Sequence, residues 1–205
     1  MRRSLILGIG LVAGMIFAAI TAASQQVPPP RPFPRLSDRA VSAIQNLARG
    51  KRFYDFVGLS EYDHGSLKLL VTSNRANIAY KTAKGAESNH RYTPLAEERL
   101  DTVNIECGDS DLRKIFECSS VRVIRRGKSE IHPLSYSSKP MDYFNASGNH
   151  WTVHEVWAVF SARELSDGFI VEYTSYDGIE WTFEVSPEDA REKLLLKLEE
   201  EPAII

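Results

Sequence analysis

Three short stretches hold residues whose types could do chemistry: "NHWTVHEVW", "SEYDHGS" and "CGDSDLRKIFEC". The first sets His150 and His154 four apart, with Glu155 next. On a helix that spacing shares a face, and two imidazoles there could hold a zinc ion. The aromatic and β-branched composition reads instead as a strand, where residues four apart lie about 13 Å from each other. Zinc needs its nitrogens near 2 Å, and the H-E-x-x-H pattern is missing. The expectation is two polar positions on a strand and no metal. In the second stretch Asp63 adjoins His64, with Ser66 two further on. An Asp that orients a His could arm a serine nucleophile, but adjacent side chains rarely face each other and no G-x-S-x-G elbow is present. The expectation is a turn. No residue is assigned a catalytic role and no cofactor is expected. Should the chain be an enzyme, His64, His150 and His154 are its acid–base candidates.

The third stretch contains both cysteines of the chain, Cys107 and Cys118. Ten intervening residues are not the two of a redox or zinc C-x-x-C, and no histidine lies between them. Strand-like "TVNIEC" and "ECSSVRV" flank turn-forming "GDSD", which brings the two sulfurs together. One structural disulfide, Cys107–Cys118, is expected. Such a bond persists in an oxidising compartment, and the N-terminus points to one. Arg2 and Arg3 precede 19 uncharged, largely apolar residues, Leu5 to Ala23. That is long for a signal h-region and just enough to span a bilayer. The small residues of Ala22-Ala23-Ser24 suit signal peptidase. Residues 1–24 therefore read as a cleaved signal peptide or a retained anchor, and either places the rest outside the cytoplasm. Residues 25–36, with five prolines between Val27 and Pro34, form a stiff linker. A docking motif for a proline-binding partner is the alternative. Residues 37–205 form one domain.

The formal charge of −2 is unevenly spread. Residues 1–35 carry four arginines and no acid, residues 36–163 carry 18 basic against 15 acidic, and residues 164–205 carry 3 against 12. The one basic run, Arg122 to Lys128, is short and lacks interleaved aromatics, so it reads as a solvated strand end and turn. No nucleic-acid partner is expected, and the acidic C-terminal part argues against anionic lipid there. Membrane contact is expected only through residues 5–23, if uncleaved.

The elements that must position these residues follow from periodicity. "LSDRAVSAIQNLARG" reads as a helix capped by Ser37 or Asp38 and stopped by Gly50. "YKTAKGAESNHRYTP" reads as an exposed loop. "SLKLLVTS", "LDTVNIEC", "SSVRVIRRG", "WTVHEVWAVF", "FIVEYTS" and "IEWTFEV" read as strands. The strand 151–161, apolar on both faces from Val156 to Phe160, is expected at the centre of the sheet. "SPEDAREKLLLKLEEE" reads as a helix with Ser186 as N-cap, Pro187 at its first position, and Ala190, Leu194 and Leu198 as its stripe. Around Asp177-Gly178, only a three-residue turn (Tyr176, Asp177, Gly178) separates polar from apolar faces. It pairs Tyr173 with Trp181, Val171 with Phe183 and Phe169 with Val185, and makes Trp181, Phe183 and Val185 core. The fold class is α+β: an antiparallel β-meander flanked by an N-terminal and a C-terminal helix.

A loop "LSYSSKPMDYFNASGNHW" gathers Tyr136, Tyr143, Phe144 and Trp151. Rigid aromatics dominate interface hot spots, so these four are a candidate partner surface; the favoured reading is that they fold back over the sheet as a lid on the core. The leading functional expectation is an exported or single-pass bacterial envelope protein whose domain binds a protein partner or assists an assembly, without catalysis. The alternatives are a small extracytoplasmic hydrolase and an apolar-ligand (lipid) binding domain.

Overall fold

The computed structural model describes residues 32–63, 66–108, 116–126, 129–144, 148 and 150–197. The apolar segment 5–23, His64 and most of the proline-rich linker lie outside the described residues. No helix among those described is long and apolar enough to cross a membrane.

The fold is α+β, with antiparallel strands throughout. The strands are β1 Leu59–Asp63, β2 Ser66–Ser73, β3 Thr102–Cys107, β4 Cys118–Arg125, β5 Glu130–Ile131, β6 Ser135–Phe144, β7 His150–Ser161, β8 Phe169–Ser175 and β9 Glu180–Val185. They divide between two sheets, ordered β1-β2-β3-β7-β6 and β5-β4-β8-β9. Alternation makes one face of each sheet apolar, and these faces close on each other. Leu69, Val71, Val103, Ile105, Val156, Ala158 and Phe160 from the first sheet meet Val121, Val123, Phe169, Val171 and Tyr173 from the second, all buried.

Helix α1 (Asp38–Ala48) starts where the Ser37 side chain accepts the Ala40 N–H. Its buried face of Ala40, Val41, Ile44 and Ala48 packs on helix α2 (Asn74–Glu87) and on Phe56 of a 3-10 turn, Phe53–Phe56. Two short helices, α3 (Ala162–Leu165) and α4 (Pro187–Glu192), follow β7 and β9.

Several expectations need correction. Helix α2 takes the first half of the stretch read as an exposed loop. Its buried face, Ala76, Ile78, Ala79, Thr82 and Ala83, is nearly all small residues, so its apolar periodicity is faint. It starts where the Ser73 hydroxyl accepts the Ala76 N–H. Strand β7 is not central; β3 is. Its second face is apolar through Val159 and Trp157, and the indole-bearing residue is 45% exposed. The C-terminal helix ends at Glu192 rather than near Leu198. Leu195 turns left-handed (φ 56°), and the Leu196 N–H reaches back to the Ala190 carbonyl. That reversal buries Leu194, Leu195 and Leu196 together, where a continuous helix would bury only one face.

The β8–β9 hairpin has the expected register, Tyr173–Trp181, Val171–Phe183 and Phe169–Val185, with Gly178 left-handed at φ 87°. Val185 is fully buried, while Trp181 and Phe183 are half-buried because β9 is a sheet edge.

Candidate functional site

The segment read as an aromatic loop is strand β6, paired with β7 from Ser135–Val159 to Phe144–His150. Pro140 hid it, yet an edge strand is where a ladder can spare a donor. Only the Val156–Ser161 half of β7 also pairs with β3. The half from His150 to Glu155, with Lys139 to Phe144 beside it, overhangs the sheet.

The disulfide stands at the neck of this overhang. Cys107 closes β3 opposite Val156, and Cys118 opens β4 opposite Ser175. Their Cα atoms are 5.7 Å apart, inside the range a disulfide needs. The expected pair is therefore present, and it joins the two sheets rather than two neighbouring strands. Gly108 follows at φ +115°, where a Cβ would lie 3.0 Å from both the Glu155 Cγ and the His154 carbonyl oxygen. A glycine is required for the chain to leave β3 this close to β7.

The overhang has two faces. One looks to the tip of the β8–β9 hairpin and, with it, bounds a cleft of about 650 Å³ lined by Phe116, Glu117, Thr152, Tyr176, Ile179 and Trp181, with Ser175 and Asp177 at its end. His154 stacks on Tyr176, centroids 4.4 Å apart, and its Nδ1 lies 3.4 Å from the Glu117 carboxylate, which also accepts the His154 N–H. The Lys68 ammonium lies 3.1 Å from the centroid of the Trp181 ring and 5.7 Å from that of Phe116. Tyr176 is 59% and Ile179 51% exposed. Further out, His150 Nε2 is 3.1 Å from Asp142, its ring on Phe144, and Thr152 donates to the same carboxylate. Asp142 is held below its usual range, first by the Thr152 bond and then by His150.

The opposite face is a carboxylate site. Glu155 is buried, accepting from the Tyr143 hydroxyl on one oxygen and from Trp157 Nε1 at 3.1 Å on the other. Glu106 lies opposite Trp157 on β3. Burial, and then the Glu155 charge, raise its carboxyl above the usual value.

The four aromatics read as one candidate surface or lid are thus split. Tyr143 and Trp151 stack on each other on the carboxylate face (6.0 Å). Tyr136 and Phe144 lie on the cleft side, with Tyr136 accepting the Val121 N–H and so tying β6 to β4. The cleft's own contact residues, Phe116, Glu117, Tyr176 and Ile179, were not singled out. Tyr176 and Ile179 were legible in principle, as an aromatic and a β-branched residue flanking Asp-Gly at a hairpin tip.

Chemically, the two histidines sit on one strand face, each with its own carboxylate. At about 3.3 Å per residue their backbones stand about 13 Å apart, too far to serve one reacting atom. Ser175 Oγ is committed to the turn, donating to Asp177 and accepting the Ile179 N–H. Among the described residues no three His, Cys, Asp or Glu side chains group to hold a metal ion. The cleft offers rings, two carboxylates and hydrogen-bonding groups. Neither protein-family models, nor curated proteins, nor solved structures give a match to this chain.

Proposed function

We propose that this chain is a non-catalytic binding module that works outside the cytoplasm and engages a protein partner through the cleft at the overhang. The observation carrying this reading is the concentration of exposed apolar groups at one disulfide-pinned end. Phe144 is 70% exposed and Tyr176 and Ile179 are over half exposed, beside a cleft with polar groups along its rim. Exposed rings on a rigid scaffold are how interfaces obtain contact area at low entropic cost. The extracytoplasmic placement rests on Arg2, Arg3 and the apolar run to Ala23. A disulfide is compatible with it.

The hydrolase alternative draws on the His154–Glu117 and His150–Asp142 pairs, and their separation weakens it. The lipid-binding alternative needs an apolar cavity beside a sheet. The space between the sheets is instead filled by side chains such as Phe160, Phe169 and Tyr173, all nearly inaccessible.

The test is capture of envelope proteins by the tagged full chain, compared with Tyr176→Ala combined with Ile179→Ser. A partner retained by the wild type and lost by the double variant is expected. A partner bound equally by both would remove the cleft from the interface.

A further inference from the structure

The outer face of the first sheet holds a cavity that the partner cleft does not use. Thr72 of β2 lies opposite Asn104 of β3, and Glu106 stands two residues along on the same face. Asn74, Asn77 and Tyr80 reach the cavity from the first two turns of α2, and Phe56 and Val57 close its apolar side. Gly58 makes that side possible. At φ +87° a Cβ there would lie 2.6 Å from the Val71 carbonyl oxygen and 2.9 Å from the Thr72 Cγ2, so only glycine lets the turn press on β2. The enclosed volume is about 440 Å³, within the range of small-molecule sites.

The lining suits a neutral, hydroxyl-rich ligand. Its carboxamides and the Thr72 hydroxyl both donate and accept, as sugar hydroxyls do. Asn104 donates to Asn74, and Asn74 to the Glu97 carbonyl, both at a long 3.4 Å. Among the described residues, the side chains of Thr72, Asn77, Tyr80 and Glu106 have no hydrogen-bond partner. Glu106 brings the only formal charge among the described lining residues, and burial disfavours even that charge. The Tyr80 ring is held edge-on by Phe53, centroids 5.4 Å apart. One strand further, Trp157 lies opposite Glu106 on the same face, 45% exposed, its indole fixed by the bond to Glu155. The apolar C–H face of a sugar ring packs well on such a surface. We propose that the cavity binds one neutral pyranose unit of a glycan, with its hydroxyls on Thr72, Asn77, Asn104 and Glu106 and the adjoining sugar ring on Trp157.

The test is saturation-transfer NMR on the full chain, kept in a detergent without a sugar headgroup and titrated with millimolar glucose, maltose, cellobiose, lactose or diacetylchitobiose. Transfer to at least one disaccharide is expected, with glucose bound more weakly. Asn77→Ala combined with Asn104→Ala should weaken that disaccharide about tenfold or more, from two lost hydrogen bonds. Trp157→Ala should weaken it about fivefold and leave glucose unchanged. Being a change at an exposed position, it keeps the test decisive if the double variant does not fold, which circular dichroism checks. Glu106→Gln, which keeps a hydrogen-bonding group in place, should retain binding that Glu106→Ala loses. No transfer to any of these sugars would overturn the proposal, as would binding unchanged in the double asparagine variant or in Trp157→Ala. Glucose bound as tightly as every disaccharide, or glucuronic acid or glucosamine bound better than the neutral sugars, would overturn it too. No described residue of the partner cleft lines this cavity, so the outcome is independent of the partner-capture result.

Discussion

Reducing the Cys107–Cys118 bond should cost the fold about 3 kcal/mol, from the entropy released when a closed loop of about a dozen residues opens in the unfolded chain. For a domain of this size that is a fall in melting temperature of about 6–12 °C. Substitution should cost more than reduction, because both sulfurs are buried, at 1% and 0% exposure, between the sheets. Replacing both cysteines by alanine removes two buried heavy atoms and adds about 1 kcal/mol each, comparable to deleting a buried methyl. Replacing both by serine instead brings in hydroxyls. In a dry core each unpaired hydroxyl costs about 1–3 kcal/mol. The expected order of stability is oxidised wild type, reduced wild type, double alanine, double serine. Calorimetric melts of the four, with the oxidation state checked by mass spectrometry, measure it. A drop of less than about 1 kcal/mol on full reduction would refute the account of the disulfide as the clamp between sheets, since the chain-entropy term alone exceeds that.

Trp181→Ala should destabilise by about 3 kcal/mol, since it empties a half-buried site and strips the ring from the Lys68 ammonium; exposed Glu180→Ala should cost about 0.5 kcal/mol or less in the same urea titration. Gly108→Ala should cost at least about 2 kcal/mol, because the residue has φ +115° and backbone 3.0 Å from the new methyl, and melts of the variant against wild type read it directly. Glu106→Gln tests the raised carboxyl on β3. An acid whose folded pKa exceeds its unfolded value holds its proton more tightly when folded, so stability is lost as pH rises through the folded pKa. The glutamine variant should therefore melt higher than wild type at pH 8 and no higher at pH 4; a gain that does not depend on pH would mean the carboxyl is not the cause. A reporter active only outside the cytoplasm, fused after Ile205, should be active, and activity only from a cytoplasmic reporter would sink the export proposal.

How legible each part was depends on where its information lies. The β8–β9 register could be read because alternate residues on both strands had to choose a face, and one turn length satisfied both. The Ser37 cap of α1 was legible for a similar local reason, a hydroxyl placed three residues before the amide it accepts. Helix α2 was not, because its buried side consists of alanines and a threonine around one isoleucine, and small residues suffice where a helix must lie close to another. The C-terminal helix failed oppositely. Leu194 reads as one member of a stripe with Ala190 and Leu198, but the chain reverses at Leu195 so that the three consecutive leucines 194–196 are all buried.

The split into two sheets was the least legible feature, and the site depends on it. Strand pattern alone makes β3 and β4 look like neighbours, since each is short, apolar on alternate residues and joined by turn chemistry. What separates them is that β7 takes the place beside β3, while β8 takes the place beside β4. Both choices are between residues over 40 apart in sequence, beyond the reach of local reasoning. The disulfide then holds together two strands that share no ladder. That single displacement sets the cleft between the β6–β7 overhang and the β8–β9 tip. It brings His154 onto Tyr176 from 22 positions away and gives Glu117 a partner 37 positions on. Residue types gave notice of the histidines as polar strand positions. Their placement on the face of β7 beside that cleft, with one carboxylate apiece, required knowing which strand of which sheet each would face.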